Sequence, residues 1–264
     1  MEGNRGVLNR RAYLKTVGAS GAIALTAQAG CLGGDGDAAT LTAATAPGFP
    51  PFELKEGGEL VGFDIDLLEA VIEETDYTLG SWEEFEFDSL IPALKNENVD
   101  VVAAAMTIND ERDQTIDFSD PYYSADQSIL VAEDAEFEPA TLDDLADRPV
   151  GAQSGTTGED VVEDQLIANE IISEGQYNSY GNYVLAVEDL LGGNIDAVVL
   201  DTPVAQTFAS NRPVTVAFVY ETGENYGFGI REGATELQTG LNEGLQAVRD
   251  DGTYEDITAK WFTE

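Results

Sequence analysis

VDVVAAAMTINDERDQTIDFSDPYY, residues 99–123, opens with the β-branched run Val99, Val101 and Val102 and thins into Ala103, Ala104 and Ala105. An apolar run of this kind reads as a buried strand whose small-residue end lets another group approach the backbone. Thr107 follows with a hydroxyl that can donate or accept. Arg112, one of 12 basic residues in the chain, brings a guanidinium that can meet a carboxylate through two parallel, charge-assisted hydrogen bonds. Taken alone, Arg112 pairs as readily with its neighbours Asp110, Glu111 or Asp113, a surface arrangement worth little.

Composition narrows the function classes. The 264 residues include 51 acidic and 12 basic side chains and no histidine, for a net charge of −39. Nucleic acid would repel such a chain, so nucleic-acid partners are ruled against. Apolar residues at 43% with clear periodicity point to a folded protein with an acidic surface rather than to disorder. Molar salt would screen the self-repulsion, so a halophilic setting is expected. The lack of histidine argues against catalytic triads and most zinc sites, and no cofactor or metal is expected.

Residues 1–30 read as an export leader. Arg10 and Arg11 precede an uncharged stretch from Val17 to Gly30 and resemble a twin-arginine signal. That stretch is too short and too rich in Ala and Gly for a membrane span. The ending AQAGC resembles a lipoprotein signal, which makes Cys31 the expected lipidation site. Residues 31–40 then form a Gly/Asp-rich tether. The expected location is the outer face of the cytoplasmic membrane, with membrane contact through the lipid anchor only.

Strand and helix patterns alternate through the rest of the chain. Residues 40–45 and 82–87 read as strands, and Ile65, Leu68, Val71 and Ile72 fall at helical spacing with Asp64 as the expected N-cap. A second α/β run begins after residue 132, with a strand at 149–153 and another at 197–200. The expected architecture is α/β with open, mostly parallel sheets. The break near 132 and the return near 220 imply two lobes joined by a two-strand hinge, residues 41–131 with 221–264 in one and 132–220 in the other.

Ligands of open α/β sheets sit beyond the carboxyl ends of strands. Four such ends are distinctive here: APGFPPF (46–52), AMTINDER (105–112), SGTTG (154–158) and LDTPVA (200–205). Thr156 and Thr157 open a helix and can present backbone N–H groups to an anion, or can simply cap that helix. Asp201 can accept from an ammonium, or cap the helix after it. Phe49, Phe52 and Phe87 can wall a pocket, or can be ordinary core. Together these groups are complementary to a zwitterionic α-amino acid.

The segments PPFEL, GELVGFDIDLLEAV, LIPALKNENVDVVAAAMTINDER, IDFSDPYY, GAQSGTTG, LLGGNIDAVVLDTPVA, YGFGIREG and LQAVRDDGTYEDITAKWF, in that order, resemble the family-3 extracellular solute-binding proteins of amino-acid ABC transporters. The resemblance covers residues 41–264. It implies a two-lobed periplasmic-binding-protein fold that closes on its ligand and delivers it to a membrane permease. It also implies that Arg112 clamps the ligand α-carboxylate with Thr107, Thr156 and Thr157. Asp201 and the Ala105 carbonyl would take the ammonium, and Phe49, Phe52 and Phe87 would pack on the side chain. Ala105 stands where many members have glycine. Ala46 stands where members selective for basic amino acids carry an acid, and Gln153 and Leu200 are further selectivity positions. With Ala46 and Leu200 apolar, a neutral amino acid is the expected ligand. The chain is expected to act as a monomer and not as an enzyme. The alternatives within the resemblance are a dehydratase acting on prephenate-like acids and an amino-acid sensor domain.

Overall fold

The computed structural model describes residues 38–262. The expected leader, Cys31 and most of the tether therefore lie outside the described residues. In chain order the elements are β1 (Thr40–Thr45), β2 (Leu54–Glu56), β3 (Glu59–Val61), α1 (Phe63–Glu73), β4 (Thr78–Glu84), α2 (Leu90–Lys95), β5 (Val101–Val102), α3 (Asp110–Asp113) and β6 (Ile116–Phe118). They continue with β7 (Tyr123–Ala132), β8 (Val150–Gln153), α4 (Thr157–Val161), β9 (Tyr177–Tyr180), α5 (Tyr183–Leu191), β10 (Ala197–Asp201), α6 (Thr202–Asn211), β11 (Val214–Tyr226), β12 (Gly229–Arg231), α7 (Thr235–Asp250) and α8 (Thr253–Trp261).

Two five-stranded sheets organise these elements, in the orders β4-β1-β5-β12-β6 and β11-β7-β10-β8-β9. The expectation of mostly parallel sheets is overturned: the sheets are mixed, and counting the separate two-stranded sheet of β2 and β3, five of the nine strand pairings are antiparallel. Parallel pairs occur where a helix carries the chain back over one sheet, as between β1 and β5 or β8 and β10. Antiparallel pairs arise where a strand arrives from elsewhere. The long strands β7 and β11 run against each other from Tyr123↔Tyr226 to Ala132↔Val214. After that run β12 enters the first sheet antiparallel to both β5 and β6. Strand–helix alternation reports elements, not the direction from which a strand enters a sheet.

Local departures are smaller. The second strand lies at Thr78–Glu84 rather than 82–87, because Phe87–Ser89 turns into a 3-10 segment that leads to α2. The central strand β5 pairs only at Val101 and Val102, and Ala103 to Met106 leave the sheet as buried chain. Helix α1 buries Ile65, Leu68, Val71 and Ile72 as their spacing predicts. Asp64 does not cap it. Gly62 holds the N-cap position, and the Asp64 carboxylate turns inward to the Ala105 N–H and the Tyr122 hydroxyl.

The start of α1 is tied to the loop before β2. Phe63 N–H donates to Pro51 O at 2.9 Å and Asp64 N–H to Phe52 O at 3.0 Å. Gly62 makes this approach possible: its φ is +148°, and a Cβ there would sit 1.9 Å from Phe52 O. A Gly62→Ala variant is expected to lose about 2 kcal/mol or more of stability, because both the backbone conformation and the contact oppose a side chain. Chemical denaturation followed by circular dichroism checks this; an unchanged midpoint would show that the 46–53 loop swings away freely.

Candidate functional site

Arg112 sits in α3, where Asn109 caps the helix by accepting from Arg112 N–H at 2.9 Å. Its side chain is buried and stands over the Phe87 ring, 5.3 Å from the centroid. Nη1 donates to Thr107 O at 2.7 Å and Nη2 to Gly155 O at 2.9 Å. Thr107 follows β5 of the first sheet and Gly155 follows β8 of the second, so one guanidinium joins strand ends from both sheets. Thr157 adds a parallel link, donating from its hydroxyl to Thr107 Oγ1 at 3.1 Å. Burial lowers the Arg112 pKa, and the carboxylates of Asp160, Asp201, Glu224 and Glu111 oppose that shift. The group remains a cation.

Asp201 closes β10 and occupies the N-cap position of α6, yet its side chain makes no capping hydrogen bond. Instead Oδ1 accepts from Gln127 Nε2 at 2.9 Å and Oδ2 from the Tyr226 hydroxyl. Gln127 Nε2 also donates to Glu224 Oε1 at 2.8 Å, and Glu224 Oε2 accepts from the Thr107 hydroxyl at 2.6 Å. Asp201, Gln127, Glu224, Thr107 and Thr157 thus form one hydrogen-bonded chain that ends beside Arg112. Burial raises the Asp201 pKa, and the nearby Glu224 charge raises it further.

The remaining expected residues are placed less uniformly. The Thr156 hydroxyl donates to Gln153 O at 2.8 Å, lies 3.0 Å from the Tyr183 hydroxyl and caps α4. Phe49 packs against Tyr183 and Phe52, at 5.6 and 5.8 Å between centroids. Phe52 is fully buried among Phe63, Tyr123, Tyr226 and Phe262. Leu200 belongs to the same core. Gln153 is buried, and its Oε1 accepts no hydrogen bond from the described residues. Ala46 lines a groove of about 1110 Å³ with Phe85 and Glu86 on one side and Asn182 and Phe208 on the other. Arg112 lines a separate cavity of about 370 Å³ with Phe87, Met106, Gly155 and Asp160. Ala46 and Arg112 are therefore not brought into one cavity.

Several site residues escape sequence reasoning. Gln127 and Glu224 sit on β7 and β11, and each reads locally as one polar residue in a strand. Their only sequence signal is a polar side chain within a strand, and both side chains are buried in the structure. Tyr226 and Tyr183, which carry no distinctive sequence signal, are buried in the core. Ala105 has a φ of +45°, and its N–H donates to Asp64 Oδ2 at 2.6 Å; the Tyr122 hydroxyl donates to the same oxygen at 2.6 Å. Burial pushes the Asp64 carboxyl up to about 7. Burial and the charges of Asp64 and Asp201 push Glu53 well above the usual carboxylate range, and neither Glu53 oxygen accepts a hydrogen bond from the described residues. No cluster of His, Cys, Asp and Glu suited to a metal ion is present among the described residues.

Residues 41–264 match the family model described as bacterial extracellular solute-binding proteins, family 3. The chain belongs to this family. It is 34% identical over 231 residues to the histidine-binding periplasmic protein of Escherichia coli strain K12, covering 83% of this chain and 85% of that relative. Two similar solved structures are an ancestral arginine-binding protein bound to arginine and one bound to glutamine. The first is 37% identical with a TM-score of 0.78 and covers 84% of this chain and 98% of its own. The second is 38% identical with a TM-score of 0.78 and covers 85% and 98%. This likeness supports a two-lobed periplasmic-binding-protein-like fold. These relatives are binding proteins, and this family member is one as well, not an enzyme. Extracytoplasmic location is typical of such proteins.

The buried carboxyls set a pH dependence. Asp64 moves from 3.8 to about 7 on folding, so between those values the folded chain holds more protons than the unfolded one. Stability therefore falls as pH rises through that window. Denaturation midpoints from pH 4 to pH 7.5 are expected to decline in the wild type and to decline less in Asp64→Asn, which keeps an acceptor but cannot titrate. Equal slopes would place the Asp64 carboxyl in the ordinary range.

Proposed function

We propose that this chain captures a free α-amino acid between two lobes and delivers it to the permease of an ABC transporter. The lobes are residues 41–131 with 221–264 and residues 132–220, and β7 with β11 forms the hinge between them. The observation that carries this reading is the placement of buried Arg112 and buried Asp201 on one hydrogen-bonded chain at strand ends of both sheets. A buried cation can hold an α-carboxylate, and a buried carboxylate without a cationic partner of its own can hold an α-ammonium. The relatives include a histidine-binding protein and ancestral arginine-binding proteins bound to arginine and to glutamine, which supports an amino acid as ligand.

In this reading Arg112 clamps the carboxylate, aided by Thr107 and by Thr156 and Thr157. Asp201 and the Ala105 carbonyl receive the ammonium. Phe49, Phe52 and Phe87 pack on the side chain, and Ala46, Gln153 and Leu200 are the proposed selectivity positions, although Ala46 and Arg112 line separate cavities in this structure. Closure removes water from the zwitterion and strengthens both charged contacts. The absence of an acid at Ala46 supports a neutral side chain. A second reading, a cationic side chain, is favoured by Glu53, whose buried oxygens are unpartnered among the described residues, and by the arginine- and histidine-binding relatives. The leader sequence supports a lipid-anchored protein on the outer face of the cytoplasmic membrane, exported by the twin-arginine route, and the acidic charge balance supports adaptation to high salt; the protein acts as a monomer in this reading.

Thermal unfolding in molar KCl against each L-amino acid tests the function. A ligand at about 100 times its Kd adds about 2.7 kcal/mol of stability, a readable shift in midpoint. Arg112→Ala is expected to abolish the shift, since a desolvated carboxylate without its partner costs about 3–5 kcal/mol. Asp201→Asn is expected to weaken binding while leaving the circular dichroism spectrum unchanged. Micromolar affinity retained by Arg112→Ala would overturn the assignment.

A further inference from the structure

We propose that Asp64, held by Tyr122, is a positioning residue that aims the Ala105 carbonyl at the ligand ammonium; the inference rests on the amino-acid-binding reading above. Asp64 lies in the first turn of α1, where an aspartate ordinarily caps the helix or faces solvent. Here it does neither. It is fully buried, and its only hydrogen-bond partners among the described residues are the Ala105 N–H and the Tyr122 hydroxyl, both 2.6 Å from Oδ2. Burying a carboxylate for two hydrogen bonds to one oxygen is costly unless those bonds hold something that matters.

What they hold is an unusual piece of backbone. Ala105 adopts a φ of +45°, a setting that residues with a Cβ rarely take. The Asp64 contact fixes the N–H side of this residue. On the far side, Met106 O accepts from Gly227 N–H at 3.1 Å, so the chain is pinned in both directions. Between the two pins the Ala105 carbonyl accepts no hydrogen bond from the described residues, although Ala105 is only 4% exposed. Buried carbonyls are nearly always paired, so an unpaired one at a strand end marks a place where a ligand donates. Tyr122 completes the device. Its ring stacks on Phe228 at 4.6 Å and its own carbonyl accepts from the Tyr254 hydroxyl at 2.6 Å, so the phenol that orients Asp64 is itself immobile.

The test compares amino acids with the same molecules lacking the ammonium, namely L-glutamine with glutaramic acid and L-arginine with 5-guanidinopentanoic acid. Affinities come from competition against whichever labelled L-amino acid the wild type binds. Tyr122→Phe is expected to weaken the amino acid about tenfold and Asp64→Ala about 100-fold, the scale of one and two lost hydrogen bonds to charged groups. Both variants are expected to leave the des-amino acid within about twofold of wild type, because its carboxylate and side-chain contacts do not pass through Ala105. A purely structural tie between α1 and the strand would weaken both members of a pair equally, and that result overturns the proposal. If Asp64→Ala fails to fold, Tyr122→Phe decides alone, since it keeps the ring stacked on Phe228. A wild type that binds no amino acid overturns the underlying functional reading, and this inference with it.

Discussion

The link between the two sheets at the site depends on satisfying one buried guanidinium. Arg112 carries five N–H donors, and a cation that loses water must find acceptors or counter-charges inside the protein. Two donors are met by backbone carbonyls, Thr107 O from one sheet and Gly155 O from the other. Backbone carbonyls neutralise no charge, so the nearby carboxylates of Asp160, Asp201 and Glu224 supply the opposing field. The remaining N–H groups donate to no other side chain or carbonyl among the described residues, and in the proposed function they take the ligand carboxylate. The same side chain that can recognise a ligand therefore also links the two halves of the fold.

The acidic side of the network has the complementary problem. Asp201, Glu224, Asp64 and Glu53 are all buried, and among the described residues the only buried cation is Arg112. Neutral donors divide the work: Gln127 serves Asp201 and Glu224 together, Tyr226 serves Asp201, and Tyr122 serves Asp64. What they cannot offset is charge, and the raised pKa values of Asp64, Asp201 and Glu53 record that deficit. In the proposed function an incoming ammonium relieves it at Asp201. The energetic logic of binding is thus already present in the arrangement of the protein's own groups.

Much of this was legible before any coordinates. Arg112 stands out because basic residues are scarce, and Asp201 stands out because it follows an apolar strand directly. The spacing of Ile65, Leu68, Val71 and Ile72 was enough to place the buried face of α1. Asp64 was misread for a physical reason. At the level of local sequence an aspartate at a helix start is a cap, and only the neighbouring strand end and Tyr122, distant in sequence, turn it inward. Gln127 and Glu224 were invisible for the same reason, since each is unremarkable until β7 and β11 lie side by side.

By itself the sequence determined the alternation of strands and helices, the chemistry available at four strand ends and the family to which the chain belongs. Those properties depend on local periodicity and on residues that act where they stand. Tertiary structure alone decided strand direction, turning an expected parallel architecture into mixed, mostly antiparallel sheets. It alone brought Asp201, Gln127, Glu224 and Thr107 into one chain, and it alone placed Phe52 in a cluster of core aromatic rings. Strand direction depends on which side of a sheet the chain enters, and a hydrogen-bond network depends on distances between residues far apart in sequence. Neither quantity is written in any local pattern.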